Sequence, residues 1–445
     1  MKISAADLGV NAETVHESLS RWMLADGLPM VVDLDKSQGA TMVDAKSGKE
    51  YLDFFGCFGS SPIGWNPPAL RTPEFLKSCE NAVVNKPSNS DLYTQEMARF
   101  VTTFAELVAP EGYRHFFFVD GGALAVENAL KAAFDWKVLR NRAKGVQADV
   151  GQKILHFRHA FHGRSGYTMS LTNTQPEKVA HFPKFDWPRV SSPPLHFPVN
   201  DEVLEQVRQA EKQSLAEIDE AFERYGDDIA AIIIEPIQAE GGDRHFRPQF
   251  LQALQARCER YDCLFICDEV QTGFFTTGKP WAFQHYGIQP DIVTFGKKTQ
   301  QCGIMAGPKL DLVPGNVFQT SSRINSTWGG NLVDMMRAAQ ICQVVSEQDL
   351  GENARLQGER WLQGMHAIAE KYPQWVSNVR GLGLMMAFDL PDRESRQKLL
   401  WTMIDQGLIG LACGPRSIRF RPHLAIGDQD LDLCLQLTEQ SLAKL

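Results

Sequence analysis

The sequence predicts an α/β fold, with a large domain built on a mostly parallel sheet and a smaller α+β domain. Between residues 115 and 300, short apolar runs alternate with helix-forming stretches, which is typical of a parallel sheet with helices on both faces. The runs 229–234, 263–267 and 292–295 are almost entirely apolar, as expected for strands that are buried on both sides. A length of 445 residues leaves room for two or three structural lobes.

Residues 1–80 are predicted to form the N-terminal segment of the smaller domain. Apolar residues at helical spacing indicate a short helix within 11–25, and turn residues separate short strands at 31–33, 41–44 and 51–54. The stretch 56–68 is rich in Gly, Pro and aromatic residues, which indicates a shaped loop. This loop is either an ordinary connector or a lining of the substrate site.

The large domain is predicted to span residues 81–334. A strand at 115–119, the small residues 120–123 and a long helix over 124–139 follow one another. This order presents backbone N–H groups and a helix dipole to a phosphate group. The remaining pattern predicts helices at 93–108, 201–225 and 250–261, a strand at 153–157 and an irregular excursion over 173–200.

The C-terminal segment, residues 335–445, is predicted to complete the smaller domain. Its apolar periodicity alternates between helical and strand spacing, which indicates an α+β arrangement. The predicted helices are 332–345, 353–371, 392–406 and 428–445, and the predicted strands are 383–389 and 417–421.

Composition excludes several classes of protein. The formal net charge of -9 argues against a general binder of nucleic acid or of anionic membranes. No apolar run approaches the roughly 20 residues of a membrane-spanning helix, and residues 1–7 lack an apolar secretion core. The nine cysteines are scattered, odd in number and free of CxxC spacing, so we expect a reducing, cytoplasmic compartment.

Two strand ends carry the residues that indicate chemistry. Lys297 follows the apolar run 292–295 and Gly296, and Asp268 closes the apolar run 263–267. Ligands collect at the carboxyl ends of parallel strands, and a lysine of lowered pKa there can form a Schiff base with a carbonyl. A buried Asp268 needs a cationic partner, and the protonated pyridine nitrogen of pyridoxal 5'-phosphate (PLP) is such a partner. Taken singly, each residue could be a strand cap or a surface ion pair, and Lys298 is expected in solvent or in an ion pair.

Three histidines at intervals of three, His156, His159 and His162, raise the possibility of a metal site. Their strand-to-loop setting does not bring them together, and no acidic or thiol ligand accompanies them. We therefore predict no metal. Phe161 with Gly163 and Arg164 instead indicates a ring platform beside an anion-binding arm.

Together these stretches resemble the class III (ω-amino acid) aminotransferases, which are PLP-dependent transferases of fold type I. The resemblance covers roughly residues 31–445. It rests on 268–273, Gly296-Lys297, Glu235-Pro236 with 240–242, 161–164, Thr327 before 328–331, and 418–420.

The resemblance implies roles for the residues around the cofactor ring. Lys297 is expected to hold PLP as a Schiff base and to move a proton between substrate and cofactor carbons. Asp268 is expected to keep the pyridine nitrogen protonated, Gln271 to hydrogen-bond the ring hydroxyl oxygen, and Phe161 to stack on the ring.

The phosphate is expected to be bound from two subunits, as the resemblance implies. The backbone N–H groups of Gly122 and Ala123 are expected to bind it, and Thr327 to reach the phosphate of the neighbouring subunit. The family pattern therefore predicts a homodimer.

The resemblance also implies a substrate site. Arg164 and Arg419 are expected to take substrate carboxylates, with the bidentate geometry that suits a guanidinium, and Glu240 to pair with Arg419 when no carboxylate is present. The run 298–300 departs from the wider family and favours the branch that transfers the terminal amino group of L-lysine to 2-oxoglutarate. The alternatives are an ornithine or 4-aminobutyrate donor, or a binding module without catalysis. A second departure, Phe274-Phe275, where many members have Gly and Arg, is expected at the rim of the site.

Overall fold

A mixed sheet of seven strands forms the centre of the protein, which is represented by a computed structural model that describes residues 9–445. The strands are β1 (Thr41–Val43), β2 (Glu50–Asp53), β3 (His115–Val119), β4 (Lys153–Phe157), β5 (Arg189–Val190), β6 (Ile229–Ile234), β7 (Ile237–Gln238), β8 (Arg244–His245), β9 (Leu264–Asp268), β10 (Ile292–Phe295), β11 (Cys302–Ala306), β12 (Ser377–Leu382), β13 (Met385–Asp389), β14 (Leu408–Ile409), β15 (Leu411–Cys413) and β16 (Ser417–Phe420).

The helices cover most of the remaining regular structure. They are α1 (Val15–Ser20), α2 (Gly56–Gly59), α3 (Pro73–Val84), α4 (Gln95–Leu107), α5 (Gly122–Ala143), α6 (Gly166–Leu171), α7 (Asp201–Tyr225), α8 (Pro248–Arg260), α9 (Leu332–Glu347), α10 (Leu350–Lys371), α11 (Arg393–Gln406) and α12 (Asp428–Leu442). Short 3-10 turns lie at Ala12–Thr14, Pro68–Leu70, Pro176–Lys178, Gly226–Asp228, Ala282–His285, Lys297–Thr299 and Pro308–Leu312. Within residues 9–445, every helix is too short or too polar to cross a membrane.

The large sheet has the strand order β3-β11-β10-β9-β6-β4-β5. The strands β10, β9, β6, β4 and β5 run parallel to their neighbours in that order, and β11 is antiparallel to both β10 and β3. The sheet is therefore mostly parallel, as predicted, and the carboxyl ends of β9 and β10 meet at one edge.

Both faces of the sheet are buried, which explains why its strands lack polar alternation. Ile232 and Phe265 pack into one core cluster together with Phe250 of α8. Their chain neighbours Ile233 and Leu264 pack into a second cluster, which includes residues of α5. Successive side chains of a strand point to opposite faces, so each strand needs apolar residues at every position.

The two end segments of the chain meet in a small three-stranded sheet. The strand β2 pairs with β1 in antiparallel fashion and with β14 in parallel fashion, with Leu52 opposite Leu408. A four-stranded antiparallel sheet, β12-β13-β16-β15, completes the C-terminal segment. These pairings support a smaller domain built from 1–80 and 335–445 beside a large domain of 81–334, and this division stays a prediction.

Some elements differ from the sequence-based expectation. The short first helix lies within 11–25 as predicted, but 31–33 forms only an isolated bridge between Val32 and Asp44. The predictions placed no element at α3, although Thr72 caps it by accepting a hydrogen bond from the Phe75 N–H (3.2 Å). The strand β11 was also missed, because it contains Gly303. A Cβ at that position would lie 2.3 Å from the Phe117 carbonyl oxygen, so the close strand approach requires glycine.

Candidate functional site

A cavity of about 380 Å³ opens at the carboxyl ends of β9 and β10. It brings together seven of the predicted site residues, although they lie far apart in the chain. They are Gly122, Ala123, Phe161, Arg164, Asp268, Gln271 and Lys297. The loops that follow parallel strands thus converge where ligands of α/β proteins bind.

Asp268 is a buried carboxylate held by three donors. Its Oδ1 accepts hydrogen bonds from Thr294 Oγ1 (2.9 Å) and the Val270 N–H (3.1 Å), and its Oδ2 lies 2.7 Å from His162 Nδ1. No lysine or arginine among residues 9–445 forms an ion pair with it. A buried carboxylate that faces a cavity without such a partner is stabilised by a cationic ligand atom, and a protonated pyridine nitrogen fits this position.

His162 was predicted only as a rejected metal ligand, and its contact with Asp268 was missed. The ring is buried, and a proton on Nδ1 allows it to donate to the carboxylate. His156 has a different partner, because its Nε2 accepts from Arg189 Nε (3.0 Å). No group of three or more His, Cys, Asp or Glu able to hold a metal occurs in the part of the chain that the structure describes.

Lys297 directly follows β10 and Gly296, in a left-handed backbone conformation with φ +55°. Burial, together with the positive charge of Arg419, lowers the pKa of its amine to about 8. The neutral amine is the nucleophile in Schiff base formation. A pKa near 8 therefore makes this lysine reactive at a pH where an exposed lysine is almost fully protonated.

The rate at which the apoenzyme takes up PLP is expected to rise with pH through a midpoint near 8, because the Lys297 amine is neutral above its pKa. The appearance of the Schiff base absorbance after mixing measures this rate across pH. A midpoint near the ordinary lysine value of about 10.4 would contradict the lowered pKa. The Lys297→Ala variant is the control and should show no covalent uptake at any pH.

Lys298 is neither in solvent nor in an ion pair, so that expectation was wrong. Its side chain is buried, and its Nζ donates to the carbonyl oxygens of Gly59 (3.3 Å), Ser61 (3.1 Å) and Pro422 (3.0 Å). Burial lowers the pKa of this amine to about 7. Lys298 thus ties the 56–68 loop to the segment after Lys297, while Lys297 faces the cavity.

The helix α5 starts at the cavity with its N-terminal N–H groups uncapped by a side chain. Its N-cap is Gly121 at φ +99°, and the first helical residues, Gly122 and Ala123, line the cavity. A Cβ at Gly163 would lie 2.5 Å from the Ala123 Cβ, so the neighbouring loop can approach only because glycine is there. An uncapped helix start of this kind suits an anionic group such as a phosphate.

Glu235 also lines the cavity, and it was predicted only as part of a family motif. Its buried carboxyl accepts hydrogen bonds from the N–H groups of Phe161 (2.9 Å) and Ala239 (3.2 Å). Burial raises its pKa well above the ordinary range, and the nearby charge of Asp268 adds to this effect. Through its bond to the Phe161 backbone, Glu235 positions the predicted ring platform.

Behind Gln271, a buried arginine and two further charged residues form a cluster. Arg419 Nη1 donates to Gln271 Oε1 (3.4 Å), and its Nη2 forms an ion pair with Glu240 Oε2. Glu240 Oε1 is also bound by Lys178 Nζ at 2.5 Å. Burial by itself raises the pKa of Glu240, but the Arg419 and Lys178 charges lower it overall, so its carboxylate is ionised.

The pairing of Glu240 with Arg419 agrees with the role that the family resemblance implies, whereas Lys178 was not predicted. Lys178 lies in the irregular segment 173–200, and nothing in the sequence distinguishes it from an ordinary surface lysine. Arg164 lines the cavity and is exposed at its mouth. No acidic side chain of residues 9–445 forms an ion pair with Arg164.

Thr327 is exposed and does not line this cavity, so its predicted contact with the phosphate of a neighbouring subunit stays a prediction. The 56–68 loop does not line the cavity either. Its contacts include those of Gly59 and Ser61 with Lys298 and the hydrogen bond from Trp65 Nε1 to Asp53 (2.8 Å). The expected effect of Phe274 and Phe275 on the rim of the site stays a prediction. Phe274 belongs to the core, where its ring packs edge-on against Phe275, and neither residue lines the cavity.

The residues present fit PLP. The Asp268 carboxylate matches the pyridine nitrogen, the start of α5 matches the phosphate, and the Lys297 amine matches the reactive carbonyl. Phe161 and Gln271 line the space between them.

Comparison with known proteins gives a consistent result. The family model described as Aminotransferase class-III matches residues 23–442. A protein named L-lysine-epsilon aminotransferase from Amycolatopsis lactamdurans is 48% identical over 445 residues, which are 100% of this chain and 98% of the relative. Human mitochondrial 4-aminobutyrate aminotransferase is 31% identical over 458 residues, with 98% of this chain and 89% of the relative covered. The solved structure of lysine aminotransferase from M. tuberculosis in the internal aldimine form has a TM-score of 0.96 at 47% identity, with 98% of this chain and 100% of that chain covered.

Proposed function

Because this chain belongs to the class III aminotransferases, we propose that it is an L-lysine 6-aminotransferase. It transfers the terminal amino group of L-lysine to 2-oxoglutarate and gives 2-aminoadipate 6-semialdehyde and L-glutamate. The observation that carries this assignment is the buried pair of Arg419 and Glu240 next to a cavity with Arg164 at its mouth. The relatives named L-lysine-epsilon aminotransferase, at 48% identity over the whole chain, support the same donor.

The residues that line the cavity have different roles in transamination. PLP, when bound, supplies a carbonyl carbon that condenses with amines and a ring that withdraws electrons from bonds at the neighbouring carbon. Lys297 Nζ would take the proton from the substrate carbon that carries the reacting nitrogen and return it to the cofactor carbon on the other side of that nitrogen. The Asp268 carboxylate would keep the ring nitrogen protonated, because it would accept a hydrogen bond from that N–H. His162 and Thr294 hold that carboxylate in place.

The remaining residues orient the reactants. Gly122 and Ala123 would bind the phosphate with backbone N–H groups, Phe161 would stack on the ring, and Gln271 would donate to the ring hydroxyl oxygen. Thr327 is proposed to reach the phosphate of a second subunit, which makes the homodimer the active form.

The nine cysteines form no disulfide within residues 9–445, which supports a reducing, cytoplasmic compartment.

The Arg419–Glu240 pair explains how one site accepts two differently shaped substrates. Lysine reacts at its distal amine, so the reacting carbon carries no carboxylate and an unpaired Arg419 would cost several kcal/mol. Glu240 neutralises Arg419 during this half-reaction, and the distant α-carboxylate of lysine binds Arg164. 2-Oxoglutarate has a carboxylate beside its keto carbon, which replaces Glu240 on Arg419, and its distal carboxylate binds Arg164.

The Glu240→Ala variant is expected to slow the lysine half-reaction more than the glutamate half-reaction, and Arg419→Ala is expected to do the reverse. A buried ion pair that loses one partner costs about 3–5 kcal/mol, so the preference should change by at least about tenfold. Stopped-flow single turnovers of the PLP form with each amino acid measure both rates. Equal losses in the two half-reactions, for either variant, would exclude this switch.

The donor itself is tested in the same experiment. Single turnovers with L-lysine, L-ornithine and 4-aminobutyrate should be fastest with L-lysine, because its length places the α-carboxylate at Arg164. Faster turnover of ornithine or 4-aminobutyrate would assign the protein to another branch of the family. Absence of turnover with every donor, in a PLP-loaded protein, would indicate a binding module without catalysis.

A further inference from the structure

Glu240 is bound by two cations, one on each carboxylate oxygen. Arg419, on β16, pairs with Oε2, and Lys178, at the end of the Pro176–Lys178 turn, lies 2.5 Å from Oε1. The two cations lie in different surroundings. The Arg419 side chain is 1% exposed, whereas the Lys178 side chain is 23% exposed.

Lys178 also lies next to the cavity. Its Nζ is 5.3 Å from the centroid of the Phe161 ring, which lines the cavity. Glu240 therefore has a partly exposed cation beside the cavity-lining Phe161 ring in addition to the one in the protein interior. No other lysine or arginine forms an ion pair with Glu240 in the part of the chain described, residues 9–445.

The balance of charges shows that Lys178 is needed when a substrate carboxylate binds Arg419. When a substrate carboxylate binds Arg419, two anions must be accommodated, the substrate carboxylate and the displaced Glu240. With Arg419 alone, one of these anions would be left without a partner, and a poorly solvated unpaired charge costs several kcal/mol. With Lys178 as well, two cations face two anions. Only the bond from Glu240 to Arg419 breaks, because the bond to Lys178 is already in place.

We propose that Lys178 is a positioning residue that holds Glu240 while a dicarboxylic acceptor occupies Arg419, and so favours the acceptor half-reaction over the lysine half-reaction. Lys178 acts through Glu240 and does not bind the substrate. This role rests on the proposed function, in which Arg419 takes the carboxylate beside the keto carbon.

The test compares two unreactive ligands of equal length on the PLP-loaded enzyme. Glutarate has two carboxylates and should occupy Arg164 and Arg419, whereas pentanoate has one carboxylate and should occupy only Arg164. Calorimetric titration of each ligand gives its dissociation constant. The variants are Lys178→Met, Glu240→Gln and the double variant. Lys184→Met is the control, since Lys184 is an exposed lysine of the same segment, 173–200, whose Nζ donates to the Phe182 carbonyl oxygen.

We expect Lys178→Met to weaken glutarate binding by about tenfold, as for a close charge pair, and to leave pentanoate binding unchanged. In the Glu240→Gln background, the same substitution should leave glutarate binding unchanged, because no displaced carboxylate needs a partner. The single turnover with 2-oxoglutarate should slow by a similar factor, and the one with lysine should not. Lys184→Met should change none of these values.

Three outcomes would overturn the proposal. An equal loss of glutarate affinity in the Glu240→Gln background would mean that Lys178 binds the ligand directly. Unchanged glutarate binding in Lys178→Met would mean that Glu240 needs no second cation. Glutarate that binds the parent enzyme no more tightly than pentanoate would show that Arg419 takes no second carboxylate. That result would refute the proposed use of Arg419 itself, and the role of Lys178 with it.

Discussion

Replacing Lys297 with alanine is expected to abolish transamination while the protein still folds. Lys297 is the amine of lowered pKa that lines the cavity together with Asp268, so its loss removes both the covalent attachment and the proton transfer. General acid–base catalysis alone contributes about 10²–10⁴-fold, so kcat should fall by roughly 10³-fold or more. Steady-state turnover with lysine and 2-oxoglutarate measures the loss.

Two controls separate this chemical role from a structural one. Lys184→Ala removes an exposed lysine outside the cavity and should keep the parent kcat. The thermal midpoint of Lys297→Ala should stay close to that of the parent apoenzyme, because Lys297 accounts for little of the core. Borohydride reduction of the parent followed by peptide mapping should place the cofactor on Lys297. Label on Lys298 would refute the assignment, and the three carbonyl contacts of Lys298 make that result unexpected.

Replacing Asp268 with asparagine is expected to lower kcat by roughly 10²–10³-fold, the usual effect of losing one preorganised electrostatic partner. Asparagine has nearly the same shape, but it carries no charge and no longer favours a proton on the ring nitrogen. The amide oxygen can still accept from Thr294 Oγ1 and the Val270 N–H, and the amide nitrogen can donate to His162 Nδ1 in the other ring tautomer, so the local fold should persist. Single-turnover rates with lysine measure the chemical step.

Asp291→Asn is the matched control for this substitution. Asp291 is also a largely buried aspartate of the large sheet, where it accepts from the Phe265 N–H (2.8 Å) and pairs with Lys309 (3.1 Å), but it does not line the cavity. Its substitution should lower the thermal midpoint and leave the rate per folded molecule unchanged. If both variants kept the parent rate, Asp268 would have no part in the chemistry.

The centre of the fold and of the site could be predicted from the sequence because burial leaves a strong signal there. Strands covered on both faces must be apolar throughout, so the ends of β9 and β10 were visible, and with them Asp268 and Lys297. The negative charge of Asp268 at a buried strand end then indicated a ligand with a cationic atom. The family pattern supplied the pairing of Glu240 with Arg419.

The elements that were missed carry weaker local signals. The strand β11 has a glycine where the Phe117 carbonyl approaches, which lowers its strand propensity. The contacts of His162, Glu235 and Lys178 depend on residues 62 or more positions away in the chain, or on backbone N–H groups brought close only by folding. From the sequence, Lys298 is predicted to be a surface lysine, because its hydrogen-bond acceptors are main-chain carbonyls and these cannot be recognised in a sequence.

The roles assigned to Arg164, Glu240 and Arg419 depend on which nitrogen of lysine is transferred. Incubating the enzyme with 2-oxoglutarate and L-lysine labelled with ¹⁵N at the ε-amine, and separately at the α-amine, tests this by mass spectrometry of the glutamate formed. Transfer from the terminal amine predicts that glutamate becomes heavier only with the ε-labelled lysine. Label that appears in glutamate from the α-amine would mean that lysine binds with its α-carboxylate at Arg419, and it would contradict the roles assigned to Arg164, Glu240 and Arg419 together.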